Sequence, residues 1–324
     1  MSLLANNLYN LALTLMVDDP GFETPLPTAV DFNSFSRSRR DLLGDLIMER
    51  FGRSCHDHLR ERGGGIKLLA EALERAPQLN SPKTILDFRK SSDPDAGIVF
   101  LFPGQHGLGR SFQKLSSCID GPLSVFAFDY DGLDSDATPC KSVEQSIDHF
   151  HECLLREHPE TLKNAVDNDR EVVLFGLCLG SCFAHAFADR LRRDHDLNVR
   201  LVFFDGLPAE QISQTSMRSL LRSTRKVLRY VRSRGDLERR LVRQGRRQRH
   251  MLGKHVTSTV DCPALLIRSN SVAESWGLSA ESWAPFVREC RHVDLKDVSH
   301  IDLIQRRQES RISCFLQPGS STAA

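Results

Sequence analysis

Five short apolar runs, at 98–102, 123–128, 172–175, 201–204 and 264–267, mark the chain from the end of its first third onward. Unbroken hydrophobicity over such short lengths suits strands covered on both faces, and helix-period segments separate most of the runs. The pattern therefore predicts an α/β fold on a doubly wound, mostly parallel sheet. After the third run, Leu179, Phe183, Ala186, Phe187 and Leu191 recur at helical spacing, a stripe that would bury one helix face against that sheet. A further short strand is expected at 293–295.

Ahead of the first run the pattern changes. Leu8, Leu11, Leu13, Leu15 and Met16 form one helical segment, Leu42, Leu43, Leu46, Ile47 and Phe51 a second, and after Gly63-Gly64-Gly65 a third runs over 66–76. Residues 1–80 read as a small helical domain. Residues 81–96, polar and holding Ser81-Pro82 and Ser91-Ser92-Asp93-Pro94-Asp95, read as a linker, 97–316 as the α/β domain and 317–324 as a disordered tail. The stretch 209–260 fits no strand, and its 213–249 portion can form two helices broken at Gly235. Set between the fourth and fifth runs, it should stand as a lid over the carboxyl ends of the strands.

Length and composition narrow the class. A chain of 324 residues, 40% apolar and with a formal charge of +1, fits a soluble globular protein. It has no apolar run of spanning length and no basic leader before a cleavage site, so a cytoplasmic location without a membrane partner is expected. Nine cysteines, scattered and without a C-x-x-C pair, argue against a disulfide framework or a zinc site. No metal or nicotinamide site is visible. The small net charge conceals a patch: fourteen Lys or Arg lie between Arg218 and Lys254 against Asp236 and Glu238, a local +12 that leaves about −11 for the rest.

The third run continues as Val172-Val173-Leu174-Phe175-Gly176-Leu177-Cys178-Leu179-Gly180-Ser181, a strand, a sharp turn and a helix start. That is the G-x-S-x-G nucleophile elbow of the α/β-hydrolases with cysteine in place of serine. A cysteine nucleophile needs a base, and the base an orienting acid. Asp205, directly after the fourth run, can supply the acid, and His300, in Asp297-Val298-Ser299-His300 on a late loop, the base. His292, His255 and Glu274 are the competitors for those two roles, and Cys178 itself could be an inert buried thiol in a decayed site. Backbone N–H groups of Leu179 and of Gln105, in Pro103-Gly104-Gln105-His106-Gly107, are candidates for an oxyanion hole. Cys182, His185 and His106 read as packing or polar neighbours.

Taken together, these pieces resemble the thioesterase domains of non-ribosomal peptide and polyketide synthases. The resemblance covers about 97–316 and rests on Val99-Phe100-Leu101-Phe102-Pro103-Gly104, Val125-Phe126-Ala127-Phe128-Asp129-Tyr130, the elbow, Ala186-Phe187-Ala188-Asp189-Arg190-Leu191, Phe204-Asp205-Gly206-Leu207-Pro208, Cys262-Pro263-Ala264-Leu265-Leu266-Ile267 and Ser299-His300. It implies an α/β-hydrolase fold with a helical lid and a Cys178-His300-Asp205 triad. It also implies thioester substrates on the phosphopantetheine arm of a carrier protein, with no bound cofactor. The departure is Cys178, and cysteine variants of this family are associated with passing acyl or aminoacyl groups to a second carrier thiol or to an amine. Hydrolytic editing and non-catalytic docking of carriers are the alternatives.

The basic run is then expected to dock acidic carrier proteins, with Arg239, Arg240, Arg246 and Arg247 as candidate contacts, though a plain solvated helix face is the simpler reading. With Tyr230 its only aromatic, it does not read as a nucleic-acid surface. The N-terminal run Asp41-Leu42-Leu43-Gly44-Asp45-Leu46-Ile47-Met48-Glu49-Arg50-Phe51-Gly52, followed by Ile66-Lys67-Leu68-Leu69-Ala70, resembles the second and last helices of a carrier domain. The family's glycine pair before Asp-Ser-Leu is missing, with Ser36 and Ser38 only nearby, so no pantetheine arm is expected there.

Overall fold

In a computed structural model of the chain, the described residues are 31–51, 53–61, 64–77, 84–91, 93, 96–105, 107, 109–130, 139–214, 236–269, 278–295 and 313–316. The expected first helix near Leu8, the proposed tail and His300 lie outside them. The chain divides into two compact units, and most of the second is a single sheet with its helices.

That sheet has seven strands in the order β1-β3-β2-β4-β5-β6-β7. They are β1 (Ile85–Arg89), β2 (Gly97–Phe102), β3 (Leu123–Phe128), β4 (Val172–Leu177), β5 (Val199–Phe204), β6 (Val260–Ser269) and β7 (Val287–Leu295). Only β1 runs antiparallel, on the edge. All six residues of β4 are buried, as a central strand covered on both faces must be. Helix α4 (Gln113–Cys118) follows β2, α5 (Val143–Glu157) and α6 (Pro159–Asp167) precede β4, and α7 (Gly180–His195) joins β4 to β5. Phe150 of α5 and Phe187 of α7 both pack on Phe128, with ring centroids 4.7 and 5.4 Å away, so both helices cover the same face. Phe102 joins that cluster at the end of β2.

Two expectations change. β1 falls within the stretch read as a linker, and the second unit begins at Ile85. Only its first two residues, Ile85 and Leu86, are buried, so an edge strand carrying Asp87 and Arg89 reads as polar sequence. β7 is longer than expected, and its interior is mostly exposed between buried Val287 and Leu295.

The N-terminal unit contains α1 (Arg37–Phe51), α2 (His56–Glu61) and α3 (Ile66–Arg75). Phe32, Leu43, Ile47, Leu59, Leu69 and Leu73 are fully buried in a core of its own. Leu42, expected on the apolar face of α1, is 39% exposed, since the buried stripe runs through Leu43, Leu46 and Ile47. Short α2 carries one buried residue, Leu59, too few to announce a helix by periodicity. Burial pushes the Cys55 thiol up to about 12, which marks it as a packing residue.

Candidate active site

The sheet reverses its strand order between β2 and β4, which are parallel neighbours, with β5 beside β4. At such a switch point the carboxyl ends of adjacent strands leave a crevice. The three chain segments leaving those ends carry Gly104, Cys178 and Asp205.

Cys178 follows β4 with φ of +55°, a left-handed conformation costly for any residue with a Cβ, so the surroundings hold it there. Its N–H donates to the Phe204 carbonyl at 2.8 Å and its carbonyl accepts from Ser181 N–H at 3.1 Å. The Ser181 hydroxyl, fully buried, donates to the Gly176 carbonyl at 2.9 Å and closes the turn from within. Gly180 is where helix and strand approach most closely. A Cβ there would strike the backbone carbonyl oxygens of Phe102, which ends β2, and of Pro103 just after it, and neither can swing away. Gly180→Ala is expected to destabilise the protein by about 2–3 kcal/mol in denaturant unfolding, and an unchanged midpoint would contradict this packing.

Asp205 follows β5, also in the left-handed region at +51°, and is fully buried. Its N–H donates to the Ile267 carbonyl at 2.9 Å. Ser269 at the end of β6 donates its N–H to one carboxylate oxygen at 2.7 Å and its hydroxyl to the other at 2.5 Å. The next residue, Gly206, is held through its carbonyl by the indole N–H of buried Trp283 at 2.8 Å, and that ring stacks on Phe203 of β5. Sequence reasoning missed both Ser269 and Trp283. Their only signals are a small polar residue closing an apolar run and one of just two tryptophans in the chain.

Gln105 is the second residue of a turn closed by Gly107 N–H donating to the Gly104 carbonyl at 2.9 Å. A Cβ added at Gly104 would lie 3.3 Å from that of Cys178, so this turn abuts the elbow. Leu179 stands immediately before α7, whose amino end is aimed at the crevice. The two residues expected to provide oxyanion donors thus flank Cys178 from different strands.

The remaining titratable neighbours have structural roles. Burial holds the Cys182 thiol well above its usual range, and its S–H donates to the Leu207 carbonyl at 3.1 Å. Burial likewise pushes up the Tyr130 phenol, with Cys182 and Cys178 adding to it. His185 is buried, its pKa lowered by that burial, and it donates from Nε2 to the Phe286 carbonyl at 3.1 Å. Of the competitors for the base, His292 is exposed on β7, and His255 meets Glu144 of α5 at 2.7 Å. His300, His106 and Glu274 lie outside the described residues.

Over the lid stretch, α8 (Ala209–Gln214) and α9 (Asp236–Leu252) are described. α9 starts one residue after Gly235, the expected break. At the neck of the excursion, Glu210 accepts from the Thr257 N–H and hydroxyl, each at 2.7 Å. Burial raises the Glu210 carboxyl, but these bonds outweigh it and leave its pKa below the ordinary value. A depressed carboxyl stabilises the fold above its unfolded-state pKa, and that contribution is lost as pH falls through the folded-state value. Thr257 amide exchange, corrected for intrinsic rate, is therefore expected to accelerate only on the acid side. In Glu210→Ala it should be fast at every pH, and protection insensitive to both changes would contradict the clamp.

Among the four expected docking arginines, Arg246 is exposed, while Arg247 donates to the Gln244 side-chain oxygen at 3.1 Å. The side chains of Arg239 and Arg240 lie outside the described residues. No group of three His, Cys, Asp or Glu among the described residues could hold a metal, and no described helix is long and apolar enough to cross a membrane.

A mostly parallel sheet with a left-handed residue at a tight strand-to-helix turn, facing the switch point, defines an α/β-hydrolase. The family model for the thioesterase domain matches residues 97–316, and the chain belongs to that family. Solved structures agree on the fold. Holo-AB3403, a four-domain non-ribosomal peptide synthetase bound to AMP and glycine, aligns over 96% of this chain with a TM-score of 0.62 and 14% identity. The chain spans only 25% of that synthetase. RedJ, a thioesterase from the prodiginine pathway of Streptomyces coelicolor, aligns over 70% of this chain and 88% of its own at 19% identity and TM-score 0.52. BorB, the type II thioesterase of the borrelidin cluster, aligns over 73% and 97% at 15% identity and TM-score 0.52. No curated protein matches the chain. The chain is thus a thioesterase-family domain, and these solved structures share its fold.

Proposed function

We propose that the protein takes an acyl or aminoacyl group from the phosphopantetheine arm of a carrier protein onto Cys178 and passes it to an amine or a second thiol. The observation that carries this reading is the placement of Cys178: the strained elbow position of a thioesterase holds a thiol where the sequence pattern calls for a hydroxyl. In the proposed step, His300, oriented by Asp205, removes the Sγ proton, and the thiolate attacks the thioester carbonyl. The negative charge that develops on the carbonyl oxygen is met by the N–H groups of Leu179 and Gln105. Collapse breaks the bond to the pantetheine sulfur, which leaves with the proton from His300. Thioester exchange of this kind is close to thermoneutral. An incoming amine then expels Cys178 irreversibly, since an amide is far more stable than a thioester. Discharge to water by the same site would make the protein a hydrolytic editing enzyme.

The basic stretch is proposed to steer acidic carriers to the crevice, through the exposed Arg246 among others. The N-terminal unit is proposed to be a carrier-like module without a pantetheine arm. The synthetase alignment supports that, because it extends over 96% of this chain while the separate thioesterases reach 70–73%. The arginines Arg37, Arg39 and Arg40 open α1, and Ser36 is engaged as its cap through the Arg39 N–H at 3.3 Å.

The test is product partition. A loaded carrier incubated with the protein, with and without a panel of amines, is expected to give amide when amine is present and little free acid in water alone. Free acid at equal rate in both conditions would establish hydrolysis instead. Release of neither product from any loaded carrier would leave only the docking role.

A further inference from the structure

Gln248 of α9 is 1% exposed, and neither its side-chain oxygen nor its side-chain nitrogen has a hydrogen-bond partner among the described residues. A carboxamide can accept two hydrogen bonds and donate two. Burying it with none of them made is costly unless a ligand completes them. Gln244, one turn earlier, shows the ordinary case: it is also buried, but its oxygen accepts from Arg247 at 3.1 Å.

The backbone brings Gln248 to the turn that flanks Cys178. Gly245 of the same helix rests on Gln105, where an added Cβ would lie 2.5 Å from Cγ and 2.6 Å from Nε2 of that side chain. Gln105 in turn follows Gly104, the residue abutting Cys178. Gln248 is three residues beyond Gly245, so it shares that face of the helix, about 5–6 Å further on. From there α9 leads to the amino end of α5, where His255 meets Glu144 at 2.7 Å. A second unmatched group lies on another flank of the same turn. Tyr130 donates its N–H to the Gly107 carbonyl at 3.0 Å, and its ring packs on Phe150 and Phe183 with centroids 5.4 and 4.7 Å away. Its buried hydroxyl has no partner among the described residues.

We propose that Gln248 determines specificity in the acyl site, its carboxamide pairing with the backbone of a peptidyl chain carried on the incoming thioester. This rests on the reading of Cys178 as the nucleophile. The match is chemical. In an extended peptide the N–H and C=O of one residue point the same way, so the Gln248 oxygen can accept from the first while its nitrogen donates to the second. A single residue of the chain thereby completes both unmatched atoms. A plain alkyl chain completes neither, a keto group only the nitrogen, and an amine only the oxygen. A site built to hydrogen-bond its substrate discriminates against an analogue that leaves its buried polar groups unpaired. The acyl group favoured by Gln248 is therefore one with a peptide unit inward of the thioester, rather than a fatty acyl chain of equal length.

The test is calorimetric binding of two pantetheine thioesters, N-acetylglycylglycyl and octanoyl, which have the same number of chain atoms. The whole chain is used as Cys178→Ala, so that binding is read without turnover, and as Cys178→Ala with Gln248→Met, which keeps the length of the side chain and removes its hydrogen bonds. The expected result is that Gln248→Met shifts the ratio of the two affinities toward octanoyl by roughly tenfold or more, mostly through weaker peptidyl binding. The unfolding midpoint of the ligand-free protein should not fall, since an unmatched amide gives way to an apolar group. An unchanged ratio, equal weakening of both ligands, or no binding of the peptidyl thioester to Cys178→Ala would overturn the proposal. A lowered midpoint would do so too, by showing that the amide already has a structural partner. Failure of the nucleophile reading is seen separately: the unmodified protein would then form no adduct at Cys178 with the peptidyl thioester, although the binding ratio still depended on Gln248.

Discussion

Cys178→Ala is expected to slow acyl transfer by roughly 10³-fold or more while leaving the unfolding midpoint nearly unchanged. The elbow conformation penalises any residue with a Cβ to a similar degree, so alanine inherits the strain of +55° without adding to it. The bonds that shape the turn are made by the backbone of Cys178 and by Ser181, and both survive the change. Only the sulfur is removed, from a site 8% exposed, which should cost about 1 kcal/mol. Cys178→Ser is the more discriminating variant. It restores the hydroxyl of the elbow pattern, but an oxygen ester does not return its acyl group to a thiol as readily as a thioester does. Transfer should fall and hydrolysis should become the larger share of what remains. Quantifying amide and acid from one loaded carrier checks both variants, and full transfer in Cys178→Ala would reduce the site to a docking surface.

Asp205→Asn is expected to lower turnover by roughly 10³-fold at a cost of only about 1–2 kcal/mol in stability. The carboxamide oxygen can still accept the Ser269 N–H, and the Ser269 hydroxyl can turn to accept from the new amide group, so the buried partners stay satisfied. Under the proposed triad, what is lost is the negative charge and acceptor pair that would hold His300 in the correct tautomer. Asp205→Ala removes both and strands the Ser269 N–H and hydroxyl in the interior, adding about 2–3 kcal/mol of destabilisation. Steady-state rates beside denaturant melts separate the two effects. Wild-type turnover in Asp205→Asn would transfer the acid role to another carboxylate, with Glu274 the first to examine.

The central strands were legible because β2 to β6 are buried on both faces and write themselves as apolar runs. The edges were not. β1 is only half-buried after its first two residues and β7 exposes most of its residues, so their patterns merge with loop sequence. The elbow was legible for a different reason: its requirements are local, being fixed by Gly176, Cys178 and Gly180 within five residues. Asp205 could be placed by its position after an apolar run. Ser269 and Trp283 could not, since each gains its role only when a distant part of the chain is brought beside Asp205 or Gly206.

The most direct test of the account is the intact mass of the protein after mixing with a panel of aminoacyl- and acyl-loaded carrier proteins, with Cys178→Ala alongside. The account predicts a mass increase equal to the acyl group, mapped to Cys178, absent from the variant and discharged on addition of an amine. Acyl groups lost from the carriers with no adduct at Cys178, or an adduct that persists in Cys178→Ala, would contradict it.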